Sequence, residues 1–459
     1  PKKKFKTHWA TTMTPSGKRR GAMIEMDPLD IGLIGILALL VLVFIGVRVF
    51  IAAGAVGMAG LIAIIGWDAG IGMAGTIPHS KSLTYVLSVL PMFILIGYLA
   101  FHAGMTTAVF EAARRWTGWL PGGLAVATVF ATAGFAAVSG ASTATAAVFA
   151  RTAIPEMLRH GYDRRLAAGV VAAGGTLASL IPPSAILVLY AIIVEESVGK
   201  LLLAGFIPGL ISAVIYAVII SGRVIVSPEL APATEKFNLT AALKATPGTW
   251  PIVAVIAIIF GAIYRGWATP TGAGALGAFV IFSVALYRGM PRNKLKEALM
   301  ETAKLTVMIF SIIWGVLVFV RFMGFAGLPA AFADFLTGLD MSPTLIIVMI
   351  LIGYAILGMF MDGIGMLLLT LPIVYPAVIG LGYDPIWFGI IVVKMVEVCL
   401  ITPPIGLNCY VVHGVRPDIP LQDVFRGIGL FFIADILTVA LFIAYPEIIT
   451  FLPDLMTKN

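Results

Sequence analysis

Two places in the sequence set polar chemistry inside apolar surroundings. The first reads Gly134-Phe-Ala-Ala-Val-Ser139-Gly140-Ala-Ser142-Thr143-Ala-Thr145, a run of small and hydroxyl residues in the middle of a long apolar segment. Small residues let backbones approach closely. If the chain turns here, unwound carbonyls and hydroxyls offer hard oxygen ligands of the kind an alkali cation takes. Ser142 or Thr143 would then cap the following helix, whose positive end points inward. Such geometry suits Na⁺ beside a carboxylate. The second place runs from Gly358 to Gly365 and contains Asp362, an acid with no charged sequence neighbour. An ionisable group at membrane depth is expensive and marks a water-filled path or an ion site.

Each of these stretches is followed by a segment broken at a proline pair, Leu180-Ile-Pro182-Pro183-Ser184 and Ile401-Thr402-Pro403-Pro404-Ile-Gly406-Leu-Asn408. A proline pair removes two backbone donors and turns the preceding residue away from helix. Carbonyls near Thr176–Ser179 and Glu397–Ile401 are therefore expected to lack helical partners, a cost in hydrocarbon unless an ion, water or another helix meets them. Two Na⁺ sites follow as expectations. The first comprises Ser139, Gly140, Ser142, Thr143 and Thr145 with Thr176 and Ser179; the second comprises Gly358, Asp362 and Gly363 with Glu397, Thr402 and Asn408. Lys394 and Glu397 stand three apart, so Glu397 is open between a cation ligand and an ion-pair partner on one helix face. Arg48 and Arg321 read as snorkelling interface residues.

The elements that position these residues must lie in a membrane. Of 459 residues, 60% are apolar and 12% charged, with a mean hydropathy of +1.04, and no soluble globule of this size has the interior to hide so much apolar surface. Stretches such as 31–47 are apolar almost continuously, unlike the alternating strands of a barrel, so the fold class is an all-α membrane protein. The net charge of +7 lies in basic residues between spans, which mark topology rather than a nucleic-acid footprint. Two cysteines, Cys399 and Cys409, and five scattered histidines support neither a disulfide framework nor a metal centre. A basic polar tail over 1–28 has no signal-peptide order of segments and is set aside.

Apolar segments fall near 29–47, 51–66, 83–103, 121–150, 166–194, 201–222, 250–264, 268–287, 304–323, 343–376, 386–412 and 424–445. Segments 121–150 and 343–376 exceed one helix and break at mid-length, as re-entrant hairpins do. Gly161-Tyr162-Asp163 recurs as Gly382-Tyr383-Asp384, Pro155 as Pro376, and Pro182-Pro183 as Pro403-Pro404, all at an offset of 221. Three landmarks in one register indicate duplication. Repeat 1 spans 29–222 (hairpin 121–150, broken helix 166–194), a cytoplasmic linker covers 223–249, and repeat 2 spans 250–459 (hairpin 343–376, broken helix 386–412). Basic residues flank the first hairpin and are missing from 324–342 and 377–385 around the second. With both hairpins re-entrant, seventeen Lys and Arg fall on one side and four on the other. Five spans plus a hairpin per copy turn the second copy upside down, the inverted-repeat plan of secondary transporters. The hairpins and broken helices are expected to move as one block against a fixed frame, an elevator-type ion transporter fold.

The motifs in combination resemble the large membrane subunit of TRAP transporters. They are Gly122-Gly123 with the Ser139-Gly140 tip, Ile154-Pro155-Glu156-Met157, Ala173-Gly174-Gly175-Thr176-Leu177, Ile181-Pro182-Pro183-Ser184, Ala204-Gly205-Phe206-Ile207-Pro208-Gly209, Gly358-Met-Phe-Met361-Asp362, Trp387-Phe388-Gly389 and Thr402-Pro403-Pro404-Ile405-Gly406-Leu407-Asn408. The resemblance covers about 29–445. Departures occur at Gly140-Ala141-Ser142 and Leu177-Ala178-Ser179. It implies a Na⁺-driven importer of an organic acid in the bacterial inner membrane. No ATP is hydrolysed, and no Gly-rich phosphate loop is present. It further implies a periplasmic binding protein that delivers the carboxylate and a separate small four-helix membrane subunit. Cargo is expected against Ser142, Thr143, Pro182, Pro183, Ser184, Pro403 and Pro404. Alternatives are a stand-alone Na⁺/anion symporter, a channel, or an intramembrane hydrolase, for which Ser139 and His102 are the nearest nucleophile and base and nothing orients them.

Overall fold

The computed structural model describes residues 26–232, 236–361 and 363–457. Most of the basic tail, and Asp362, lie outside the described residues. Every regular element among them is helical, and seven helical stretches are long and apolar enough to cross a membrane, including Val198–Val226, Arg292–Phe325 and Leu421–Ala444. Apolar side chains such as Leu33, Ile34, Leu37 and Val41 stand exposed along Pro28–Phe44, a surface that only lipid or another apolar helix covers at low cost.

Segments 121–150 and 343–376 each fold as a pair of helices joined by a short turn. The first joins Gly123–Ser139 to Ser142–Arg159 through Gly140 and Ala141. Gly140 is left-handed at φ 58°, and Ala141 is extended. A Cβ on Gly140 would lie 2.6 Å from the Pro183 carbonyl oxygen, so the turn needs glycine for both backbone angle and space. The second hairpin joins Pro343–Gly358 to Gly363–Gly380. Its arm and that of the first run past the apolar limits at 376 and 150, because helical backbone geometry continues where hydropathy falls.

The repeated Gly-Tyr-Asp triplet is turn chemistry. Gly161 and Gly382 take φ of 83° and 87°, ending the hairpin arms as left-handed glycines do. Asp163 then accepts from the amides of Arg165 and Leu166, and Asp384 from those of Ile386 and Trp387. Each acid starts the broken crossing that follows. The first crossing consists of Arg164–Thr176, a tight turn over Leu177–Ser179, the proline pair, and Ala185–Val194; the second consists of Pro385–Ile401, its proline pair, and Leu407–Val415. Both proline pairs are cis.

Packing sorts the helices into a frame and a core. In the frame, Val49–Ile65 lies along Arg292–Phe325, and Pro270–Tyr287 lies along Val89–His102. In the core, the two hairpins enclose the broken crossings with Val198–Val226 and Leu421–Ala444. Pro385–Ile401 is buried at every residue from Ile386 to Ile401. Gly169 and Gly427 meet backbone to backbone, which leaves no room for a side chain at the crossing. Amphipathic helices Met105–Thr117 and Leu328–Thr337 join frame to hairpin. The apolar-run reading treated these two, with Trp67–Ser82 and Glu447–Thr457, as loops, since none has a continuous apolar run of spanning length.

Candidate functional site

At the first tip, the hydroxyls converge. Ser139 Oγ lies 2.7 Å from Thr145 Oγ1, which donates to the Ala141 carbonyl at 3.0 Å. Thr145 has spent its proton there, so the Ser139 hydroxyl is the donor between them. Ser142 Oγ lies 2.6 Å from Ser179 Oγ in the break of the next crossing. Ser184 in turn donates to the Ser179 carbonyl and accepts from the Leu187 amide at 3.3 Å. Ser139, Gly140, Ser142, Thr145, Ser179 and Ser184 are all buried, with Pro182 and Pro183 beside them. Hairpin tip and helix break thus form one polar unit within an apolar shell.

Two expectations at this tip resolve differently. The helix from Ser142 begins at Ala141 with no side-chain cap, so neither Ser142 nor Thr143 caps it; the Ser142 hydroxyl is engaged by Ser179 instead. Thr143 is exposed. Thr176 donates to the Ala173 carbonyl at 2.7 Å, one turn back along its own helix. Several freed carbonyls also find partners inside the chain, since the Leu177 oxygen accepts from the Leu180 and Ile181 amides and the Val398 oxygen from the Thr402 hydroxyl at 2.6 Å.

At the second tip, Gly358 abuts Cys399 Sγ and Gly363 abuts Val396, so this turn presses on the second crossing just before its break. Thr402 is half-buried, and Pro403 and Pro404 are exposed, unlike their buried counterparts Pro182 and Pro183. Asn408 bonds through its amide nitrogen to the other crossing. Its Nδ2 donates to the Ala172 carbonyl of the first crossing at 3.0 Å, and its Oδ1, fully buried, has no partner among the described residues. The helix Leu407–Val415 packs on Ser142–Arg159 while Ala185–Val194 packs on Gly363–Gly380. The outer half of each crossing therefore serves the other hairpin, an exchange that sequence spacing does not disclose.

Glu397 forms an ion pair. Lys394 Nζ lies 2.7 Å from Glu397 Oε2 and 2.7 Å from Asp435 Oδ1, and the Tyr216 hydroxyl donates to Asp435 Oδ1 at 2.6 Å. The Lys394 nitrogen also stands 5.6 Å from the centre of the Tyr216 ring. Lys394, Glu397, Asp435 and Tyr216 are all completely buried, and Glu397 Oε1 and Asp435 Oδ2 have no partner among the described residues. The sequence reading missed Tyr216 and Asp435. Asp435 was detectable, because it is the one acid in the apolar stretch 424–445.

Among solved structures, the YdaH transporter of Alcanivorax borkumensis matches with a TM-score of 0.56 at 14% identity, covering 91% of this chain and 99% of that one. MtrF of Neisseria gonorrhoeae matches with a TM-score of 0.53 at 14% identity, covering 92% and 95%. At such identities the likeness is one of fold, a polytopic all-helical one. The family model of the DctM component of tripartite ATP-independent periplasmic transporters matches residues 36–448. The chain belongs to that family. It is 38% identical over 346 residues, 75% of this chain and 80% of the relative, to the C4-dicarboxylate TRAP transporter large permease protein DctM of Pseudomonas aeruginosa. It is 32% identical over 412 residues, 84% and 89%, to the protein of the same description from Vibrio cholerae. It is 28% identical over 373 residues, 81% and 87%, to the sialic acid TRAP transporter large permease protein SiaM of Vibrio cholerae. These relatives are transport permeases, not enzymes.

Proposed function

We propose that the chain imports a small organic acid, a C4-dicarboxylate in the first instance, by Na⁺-coupled secondary transport across the bacterial inner membrane. A periplasmic binding protein delivers the cargo, and a small four-helix subunit braces the frame. The observation that carries the reading is the buried unit in which a hairpin tip closes on a helix break through Ser142 and Ser179. Its oxygens suit a hard cation, and the tip lies where the charged end of a carboxylate can share it. The family's named dicarboxylate permeases support the cargo class.

On this reading, the first Na⁺ takes oxygens from Ser139, Gly140, Ser142, Thr145, Thr176 and Ser179. The second takes them from the Gly358–Gly363 turn with Asp362, Thr402 and Asn408, and Glu397 borders it through Lys394. Thr143, exposed on the first tip, faces the cargo with Ser184 and the proline pairs. The helix starts at Ser142 and Gly363, and those at Arg164 and Pro385, share the 221 offset of the sequence motifs, which supports two inverted repeats and an elevator movement of core against frame.

The experiment is uptake of labelled succinate into proteoliposomes holding the complete transporter and its binding protein, with an imposed Na⁺ gradient. Uptake that tracks the Na⁺ gradient, and falls when Ser142 or Asp362 becomes alanine, is the expected result. Uptake indifferent to Na⁺ would overturn the coupling. Cysteines placed in 151–165 and 377–385 should label from opposite sides of the membrane, and labelling from one side would overturn the inversion.

A further inference from the structure

A cavity of about 200 Å³ lies between frame and core, walled by Tyr98, Phe101 and Glu301 of the frame and by Ser139, Ala147 and Arg151 of the first hairpin. A single water needs roughly 10–15 Å³, so the space takes a small organic molecule. Its deep end is the Ser139 hydroxyl of the tip. Arg151 sits nine residues after Ser142 on the same helix, about 13 Å along the axis at 1.5 Å per residue.

Among the described residues Arg151 has no ion pair or hydrogen bond, although the other arginine of its helix does. Arg159, two turns on, pairs with Glu156 at 3.0 Å. The acid across the cavity is already engaged, since Glu301 Oε2 lies 2.9 Å from His102 Nε2. An exposed guanidinium without a protein partner, standing where the first hairpin's arm leaves the apolar segment and lining the cavity, points to an anionic partner. At the 221 offset, the second hairpin carries Pro372, so the positive charge serves one face of the transporter only.

We infer that Arg151 binds a carboxylate of the cargo on its way between the tip and the cytoplasmic end of the cavity, giving the anion a station on the release path beside the Ser139 end. This rests on the organic-acid reading above, and the test separates the two. Arg's planar fork meets a carboxylate through two parallel bonds, whereas lysine offers a point charge, so Arg151→Lys should fall between wild type and Arg151→Gln.

In proteoliposomes with the complete transporter, succinate is presented from the cytoplasmic face and its apparent KM is measured for wild type, Arg151→Lys, Arg151→Gln and the control Arg159→Gln. Arg151→Gln should raise KM about tenfold or more, as loss of a charge-assisted bond does, leaving the Na⁺ midpoint unchanged; Arg159→Gln should match wild type. An unchanged KM in Arg151→Gln would overturn the inference and leave Arg151 as an interface anchor. The second measurement does not depend on cargo. Ala147→Cys is labelled with an anionic sulfonate and a cationic trimethylammonium methanethiosulfonate, the native Cys399 and Cys409 being buried. Arg151→Gln should lower the anionic-to-cationic rate ratio about fivefold. An unmoved ratio would overturn the inference even if wild type carries no succinate, an outcome that would by itself sink only the dicarboxylate reading.

Discussion

Replacing Lys394 with methionine removes the one cation from a cluster that holds two carboxylates. Carried as an ammonium and two carboxylates, Lys394, Glu397 and Asp435 sum to one negative charge, and all three are shut off from solvent. Losing the lysine leaves two like charges without a counterion, and breaking a buried pair in this way costs about 3–5 kcal/mol. Losing one acid does the opposite. Glu397→Gln leaves Lys394 and Asp435 as a neutral pair, with the Tyr216 hydroxyl still bonded to Asp435, and gives the unpartnered Oε1 position a group that carries no charge. It should cost less than about 1 kcal/mol, the net value of an ordinary hydrogen bond. Neighbours in one network couple, so Lys394→Met with Glu397→Gln should be more stable than Lys394→Met alone. The assay is reversible unfolding of the purified chain in mixed micelles of rising SDS fraction, followed by tryptophan fluorescence. If Lys394→Met and Glu397→Gln cost the same, or the double variant is the least stable of the three, the charge accounting is wrong.

Other positions carry separate expectations. Gly140→Ala places a Cβ at φ 58° and 2.6 Å from the Pro183 oxygen; left-handed backbone alone costs about 1–2 kcal/mol, and the Na⁺ midpoint of uptake should rise several-fold at normal expression. A Cβ on Gly97 would lie 2.7 Å from Ser139 Cα, so Gly97→Val should unseat the first tip from the frame, seen as faster labelling of Ser139→Cys. Asn408→Leu removes the unpartnered Oδ1 and should weaken Na⁺ activation while the chain stays folded; unchanged activation would remove Asn408 from the second site. In the loop before Leu421, Arg416 reaches Asp418 at 2.8 Å and 2.6 Å, and that hydrogen bonding holds the carboxyl below its ordinary range. Its stabilisation is complete above the ordinary carboxylate range and disappears as pH falls through the lowered folded value. For so exposed a pair it is at most about 1 kcal/mol, and Arg416→Gln should move acid-induced proteolysis of the loop to higher pH.

The legible part of this protein was written in covalent and local terms. Proline pairs, left-handed glycines and capping acids act on the residues beside them, so Gly161, Asp163, Gly382 and Asp384, legible in the sequence as repeat landmarks, are in the structure the turns that end one helix and start the next. The tip hydroxyls were legible for the same reason, because Ser139, Gly140, Ser142 and Thr145 sit within one turn. Thr143 stands one helical step of about 100° on from Ser142, which carries it to the exposed side of the helix, and the start of that helix could not be set to the residue from sequence. Amphipathic Met105–Thr117 escaped a search for spans because it buries Met105, Val109 and Phe110 on one side only.

What sequence order hides is the exchange between distant elements, and there the chemistry concentrates. At the 221 offset Lys394 answers to Ala173, Glu397 to Thr176, Asp435 to Val214 and Tyr216 to Leu437. The backbone landmarks keep the register, and the charges break it. Three helices that are remote along the chain, Pro385–Ile401, Val198–Val226 and Leu421–Ala444, are pinned together by a cluster whose members have no charged or phenolic counterpart at the offset. In the proposed elevator movement a block that slides as one body would gain from such a lock, since unpaired buried charges penalise any separation of those three helices. The first hairpin shows the same asymmetry, with Arg151 against Pro372. In the proposed inverted-repeat cycle, equal backbones would let two end states exchange, while unequal side chains would make the two faces chemically different, which is the condition for taking cargo on one side and releasing it on the other.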